Sequence, residues 1–278
     1  KARPYDGLVI VWSGVVACGG LPSSRVLFER NPGRNDEVER QRTASLEARG
    51  VRAVPVQLDV TDGAAVAALT DRLSALGALG AVAHAAGISP TMAAWRPVID
   101  VDLVGTARLI DALTPLVGPA TAMVCFASMA AHLMASASEP AADAVLDDPL
   151  DPDLLDRLRV AVGETIEDPG IAYGYAKRGV QRLVRRTAVA WGPSGGRINS
   201  MSPGLIDTPM GRQEFDQQPM MAILLEHTPL AREGRAEELA AVVAFLCGPD
   251  ASYVSGTDLL VDGGCVAGMD ALIPNAHG

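Results

Sequence analysis

Short runs of apolar residues recur along the chain, at Leu8–Trp12, Val26–Phe28, Val51–Val60, Ala78–Ala83, Ala122–Ala127, Arg197–Met201 and Asp258–Val261. Most are apolar at successive positions instead of alternating with polar ones, the pattern of strands covered on both faces of a parallel sheet. Between them apolar residues return at helical spacing, which predicts helices over about 36–49, 62–76, 92–117, 171–191 and 235–247. Gly50, Gly77, Gly118, Gly192 and Gly248 each follow one of these stretches. A glycine there can take the left-handed conformation that ends a helix. Strand and helix in alternation predict an α/β fold, a doubly wound parallel sheet of about seven strands in a single domain over residues 1–278.

Two segments break this rhythm. His132–Gly170, rich in Asp, Pro and Ala, separates a strand from a helix that a short loop would ordinarily join. It reads as an insertion over about 132–170 with a short helix of its own. The second covers about 209–229, where Met220, Met221, Ile223, Leu224 and Leu225 mix with polar residues. A methionine-rich surface adapts to its ligand, so this segment fits a mobile lid over an apolar substrate and fits equally a surface helix packed on the core.

With 278 residues, 49% of them hydrophobic, the chain can bury a substantial core. The formal net charge of -10 argues against contact with phosphate backbones or anionic lipid, so neither nucleic acid nor membrane is an expected partner. Cys18, Cys125, Cys247 and Cys265 lack the paired spacing of zinc sites or disulfide frameworks. The N-terminal KARPYDGLVIV is too short an apolar stretch for a signal sequence, and the chain reads as cytoplasmic. His84, His132, His227 and His277 show no metal-ligand spacing and are read as structural or surface residues.

Candidate chemistry lies in three residues. Tyr173 and Lys177 stand four apart in IAYGYAKRGVQRLV, on one face of a helix, whereas Tyr175 points away. A phenol, with a pKa of about 10, is a poor base at neutral pH, and a nearby ammonium lowers that value. The pair therefore suits acid/base work. Ser128, in AMVCFASM, sits at the carboxyl end of a central strand, where open α/β sheets bind ligands. Its hydroxyl can donate to a carbonyl oxygen as that becomes an alkoxide. Each of these residues alone would pass as structural.

With MSPGLIDTPM and LLVDGG added, the ordered set resembles the short-chain dehydrogenase/reductase family from about Val51 to Gly264. The resemblance implies a Rossmann-like fold binding NAD, with NADP left open, and hydride transfer between a secondary alcohol and a ketone. It implies Ser128, Tyr173 and Lys177 as the catalytic serine, tyrosine and lysine. Asp59 and Val60 would meet the adenine, His84, Ala85, Ala86 and Gly87 would form the turn that supports the cofactor, and Pro203, Gly204, Ile206 and Thr208 would contact the nicotinamide end. LLVDGG matches the family's last strand, at the edge of the sheet. Ser128 and Tyr173 are 45 positions apart, and this long insertion, with Ala190–Gly192 reading AWG, is similar to the bacterial 3α-hydroxysteroid dehydrogenase/carbonyl reductase branch. That branch implies a small hydrophobic alcohol or ketone as substrate, steroid-like or terpenoid in skeleton. Relatives are homodimers or homotetramers.

The match fails in two places. Asp102 stands where the family carries an asparagine that helps hold a proton-relaying water, which implies a modified relay with an added charge beside Lys177. In VIVWSGVVACGGLPSSRVLFERN, Gly14 and Gly20 keep the outer glycines of a phosphate-binding turn while Cys18 takes the middle one. Only LPSSR separates Gly20 from Val26, too short for a helix that crosses the sheet and returns. A corrupted stretch of sequence, a crippling deletion and a rebuilt phosphate site compete as explanations. Glu29, ending VLFE, favours NAD by accepting from ribose hydroxyls, and Arg30 beside it pulls toward NADP. Two other functions compete with the dehydrogenase: a catalytically impaired ligand-binding or scaffold protein, and an epimerase or dehydratase that retains its cofactor.

Overall fold

The computed structural model describes residues 8–11, 25–30, 44, 48, 52–134 and 140–272. Seven strands form one sheet: β1 Leu8–Val11, β2 Arg25–Arg30, β3 Arg52–Gln57, β4 Leu79–His84, β5 Ala122–Phe126, β6 Arg197–Pro203 and β9 Asp258–Val261. Every pairing in it is parallel, in the order β3-β2-β1-β4-β5-β6-β9. The order reverses between β1 and β4, and at such a switch point the strand ends leave a crevice for a ligand. A separate pair, β7 Ile206–Asp207 and β8 Gly234–Arg235, lies beyond β6. β1 and β2 pair in parallel despite the short connection expected there, and residues 12–24, which join them, lie outside the described residues. So does most of the helix expected over 36–49.

Side chains alternate across the sheet and sort into two cores. Leu79 and Val82 of β4 with Met123 and Cys125 of β5 face one layer of helices. Those helices are α1 Gly63–Leu76, α2 Trp95–Ile99, α3 Gly105–Leu113 and α7 Pro169–Trp191. Ala81 and Ala83 of β4 with Ala122 and Val124 of β5 face α10, Ala236–Cys247, through its Leu239, Val243 and Leu246. Small residues on that side let α10 lie close to the sheet. The expected strand over Val51–Val60 stops at Gln57 because Asp59 accepts from the Thr61 backbone at 2.9 Å and Asp62 caps α1.

Helix ends depart from the glycine rule. Among the described candidates, Gly77 alone has positive φ; Gly192 is right-handed helical, Gly248 extended, and Gly118 is not in the left-handed region. α7 instead runs on through a tight turn at Gly192–Ser194 and stops at left-handed Gly195. It also begins two residues before the expected Ile171, because Asp168 accepts from the Gly170 and Ile171 amides at 2.8 and 3.0 Å and Pro169 fits the first turn. The helix expected over 92–117 is interrupted between α2 and α3 by a wide π turn, Asp100–Val104.

Among the described residues the insertion holds two α-helices, α5 Pro140–Leu146 and α6 Leu154–Val162, and a short 3-10 turn at Glu164–Glu167, after a short α4 at Met129–Leu133. Leu146, Leu158 and Ile166 are fully buried in the larger core. α5 is also tied to α7 by two forked ion pairs, Arg178 to Asp143 at 2.6 and 2.7 Å and Arg182 to Asp147 at 2.8 and 2.7 Å. These forks are geometrically specific and partly shielded from water. Leu158→Ala in α6 should therefore cost about 2–5 kcal/mol in denaturant unfolding, as a core truncation does. A loss below about 0.5 kcal/mol would instead describe a surface appendage.

Candidate active site

Three elements bring the predicted catalytic residues together. α7 presents Tyr173 and Lys177 on one face, one turn apart, and turns Tyr175 into the core on the other. The Lys177 ammonium, 5.4 Å from the Tyr173 ring centre, donates to the carbonyl of Phe126 at 3.2 Å, the last residue of β5. Ser128 follows two residues later as the cap of α4, accepting from the Ala130 amide at 3.2 Å. Its side chain is hydrogen-bonded to Tyr173. Phenol, hydroxyl and ammonium thus share one site at the carboxyl end of a central strand.

Asp102 closes the site from behind. Its π turn aims a wholly buried carboxyl at Lys177, with Oδ1 3.6 Å from Nζ and accepting from the Ile88 amide at 2.9 Å. Oδ2 is buried and has no hydrogen-bond partner among the described residues. Burial pushes the Asp102 pKa up, against the pull of Lys177 and the Ile88 amide. Gly87 is forced by this packing: a Cβ there would lie 2.6 Å from Asp102 Oδ1 and 3.1 Å from Lys177 Nζ.

The electrostatics correct one expectation. Tyr173 is shifted above the ordinary phenol value, not below it. Burial is the main cause, the charges of Asp102 and Glu214 add to it, and only the Ser128 bond opposes. The ammonium expected to acidify the phenol is directed at the Phe126 carbonyl and Asp102. Behind the site, the Thr106 hydroxyl donates to the Asp102 carbonyl at 2.7 Å, so its 2.8 Å contact with His84 has Nε2 as donor. Burial, helped by Lys177, holds His84 down to about 3, and the ring is neutral.

The residues expected to meet a dinucleotide are spread over the crevice. Asp59 is exposed just past β3. Val60 is buried against Gly105 in α3, which places its side chain in packing. Ala85, Ala86 and Gly87 follow β4, and Pro203 ends β6. Gly204 lets the ends of β6 and β9 meet, since a Cβ there would lie 2.5 Å from Asp262 Cα. Ile206 lies in β7, and Thr208 caps α8, Pro209–Gln217, by accepting from the Gly211 amide at 3.0 Å. β9 stands at the sheet edge, as expected for LLVDGG. Gly14 and Gly20 lie outside the described residues, as does the side chain of Glu29, whose backbone pairs with Val56. The described part fits a nicotinamide dinucleotide. It borders the crevice beside the switch point, and Lys177 has three donors, of which Phe126 takes one while Asp102 faces the charge from 3.6 Å.

Sequence reasoning passed over two polar groups. His132, read as structural or surface, binds Asp258 of β9 at 2.7 Å, and Gln181, one turn beyond Lys177, joins them with Ser202. This network pins α4, and so Ser128, to the sheet. Glu214 of α8, whose charge reaches both Tyr173 and Lys177, was hidden in a segment noticed only for its methionines.

Comparison with known proteins bears on this arrangement. A family profile described as Enoyl-(Acyl carrier protein) reductase matches residues 33–144 and 159–266. Cis-4-hydroxycyclohexanecarboxylate dehydrogenase of Sinomonas cyclohexanicum is 33% identical over 277 residues, 93% of this chain and 96% of its own. The chain belongs to the short-chain dehydrogenase/reductase family. Members of this family are NAD(P)-dependent oxidoreductases acting on CH–OH groups. The expected branch is also represented: 3-alpha-hydroxysteroid dehydrogenase/carbonyl reductase of Comamonas testosteroni is 33% identical over 190 residues, 66% of this chain and 71% of its own. In fold, the chain is similar to a short-chain type dehydrogenase/reductase from Mycobacterium ulcerans, with a TM-score of 0.71 at 24% identity over 98% of this chain and 96% of that one. The family match begins at residue 33, beyond Gly14 and Gly20.

Because Gly87 faces two groups already bound to each other, Gly87→Ala should destabilise the fold by about 1–3 kcal/mol, as overpacking does. Thermal unfolding at neutral pH checks this, and an unchanged midpoint would mean the site has slack.

Proposed function

We propose that this protein is an NAD-dependent oxidoreductase that interconverts a secondary alcohol and a ketone on a hydrophobic substrate. The observation that carries the reading is the meeting of Ser128, Tyr173 and Lys177 at the end of β5. Lys177, Ala85–Gly87 and the segment Pro203–Thr208 would hold the dinucleotide, with Asp59 toward its adenine end and Gly14, Gly20 and Glu29 completing the site. When bound, the dinucleotide supplies the hydride acceptor for oxidation and the donor for reduction.

The protein's own part is proton and charge management. Ser128 and Tyr173 would hold the substrate oxygen between their hydroxyls. In reduction, Tyr173 gives its proton to the forming alkoxide while Ser128 stabilises the charge. In oxidation, Tyr173 must first lose that proton, which its raised pKa opposes. Lys177 would fix the cofactor ribose, and Asp102 sets the charge behind both residues. Residues 209–229 would act as the mobile lid. We place the enzyme in the cytoplasm as a homodimer or homotetramer; α5 covers the flank of α7 that carries Arg178 and Arg182.

Tyr173→Phe should lower turnover by about 100-fold or more while cofactor affinity, titrated directly, stays nearly unchanged. Retention of the normal rate would sink the assignment, and failure of NADH and NADPH alike to bind at millimolar concentration would remove the enzyme reading itself.

A second measurement tests the charge. Tyr173 is raised in the fold, and ionised Asp102 contributes to that. Oxidation gains rate as pH rises through the tyrosine pKa, so Asp102→Asn should move this alkaline limb to lower pH. A limb that stays in place or moves upward contradicts the coupling.

A further inference from the structure

Asp258, the first residue of β9, is a joint between three elements. Its side chain is almost inaccessible to water, and its carboxyl accepts hydrogen bonds on both oxygens. Oδ1 takes the Ser200 hydroxyl at 2.5 Å, and Oδ2 takes the Ser202 hydroxyl at 2.8 Å, His132 Nε2 at 2.7 Å and Gln181 Nε2 at 3.2 Å. The two serines lie on β6, whose Ser200 is the ladder partner of Asp258. His132 belongs to α4 and Gln181 to α7. Burial alone would raise the Asp258 pKa, and the bonds from His132, Ser200 and Ser202 outweigh it, so the group stays below the ordinary carboxylate value.

Proton counting fixes the roles. An ionised carboxylate only accepts, so His132 carries its proton on Nε2 and donates. Gln181 must present its amide nitrogen, because an amide oxygen 3.2 Å from the carboxylate would be repelled. Its two protons go to Asp258 and, at 3.1 Å, to Ser202. The 3.0 Å approach of Gln181 to His132 therefore sets two donors side by side, and the negative charge they share offsets their repulsion.

Both donors lead to the chemistry. α4 is five residues long, is capped by Ser128, and is too short to hold its direction unaided. Its Met129 rests in the small cluster with Leu224 of α9, Met220–Glu226, while His132 bonds it to the sheet. On α7, Tyr173, Lys177 and Gln181 follow at four-residue spacing along one face. We propose that Asp258 is a positioning residue: through His132 on α4 and Gln181 on α7 it fixes the spacing of Ser128 and Tyr173, and so the place where a substrate oxygen is held. This rests on the reading that both hydroxyls bind that oxygen.

The full chain, isotopically labelled at tyrosine Cζ, tests the anchor by carbon NMR at neutral pH with neither cofactor nor substrate added. The chain has four tyrosines, and Tyr173→Phe identifies the Tyr173 signal. Ser128→Ala should shift that signal by removing the hydroxyl bonded to the phenol. His132→Leu, which keeps the bulk and loses the donor, should shift it in the same direction. Asp258→Asn, which leaves one acceptor oxygen for four donors, should do likewise. His132→Gln restores a donor and should return the signal to its wild-type position. Tyr175, buried in the main core, should stay in place in every variant. His132→Leu added to Ser128→Ala should shift Tyr173 no further, since the anchor acts through the serine. The proposal is overturned if His132→Leu leaves Tyr173 unmoved, moves Tyr175 equally, adds to Ser128→Ala, or is not reversed by glutamine. If Ser128→Ala itself leaves Tyr173 unmoved, the shared oxygen site fails and the anchor falls with it. If Ser128→Ala shifts the signal and His132→Leu does not, the anchor alone fails.

Discussion

Burying one ammonium group organises this site. Lys177 is almost inaccessible to water, and a charge so placed is tolerated only where opposite charge and hydrogen bonds replace its hydration. Replacement comes from two directions: the Phe126 carbonyl at the end of β5 and the Asp102 carboxyl from the π turn before α3. Three pieces of chain must therefore arrive in register. Gly87 is small because no side chain fits between the partners, and the π turn exists where the Asp102 carboxyl must reach inward.

The same arrangement decides how the tyrosine behaves. Had Lys177 faced the phenol without Asp102, its charge would have favoured the phenolate. With Asp102 beside it, the carboxyl's charge works against the phenolate, and burial is the larger cause. Asp102 in turn is pushed toward its neutral form, with one oxygen unpartnered. Burial thus keeps the tyrosine protonated, and the charges of Asp102 and Glu214 add to the shift.

The sheet and the placement of Tyr173 and Lys177 on one helix face were legible in the sequence because each depends on local rules. Apolar runs revealed the seven strands of the main sheet but not the short pair β7 and β8, and four-residue spacing placed Tyr173 and Lys177 on one face. Helix ends were less legible: Gly192 and Gly248 adopt ordinary φ values because Gly195 and a proline-led turn do the stopping. The sign of the Tyr173 shift was hidden because it depends on where the ammonium points, which spacing along one helix cannot show. Glu214 and Asp258 were hidden for a related reason. Their partners, Ser89 and His132, lie more than a hundred residues away along the chain.

The insertion and the lid looked alike in sequence, as two irregular segments beside the substrate, and the structure separates them by burial. α5 and α6 commit Leu146, Leu154 and Leu158 to the main core, and forked ion pairs clamp α5 and the turn after it to α7. Displacing them would expose that core and cost accordingly. α8 buries no residue fully and α9 only Leu224, so this segment is held by a small separate cluster and by the hydrogen bond from the Gln213 amide to the Thr91 hydroxyl. Hydrogen bonds between neutral groups exchange with water at little net cost. The insertion is thus built into the main core, whereas the segment over α8 and α9 rests on it with little buried area.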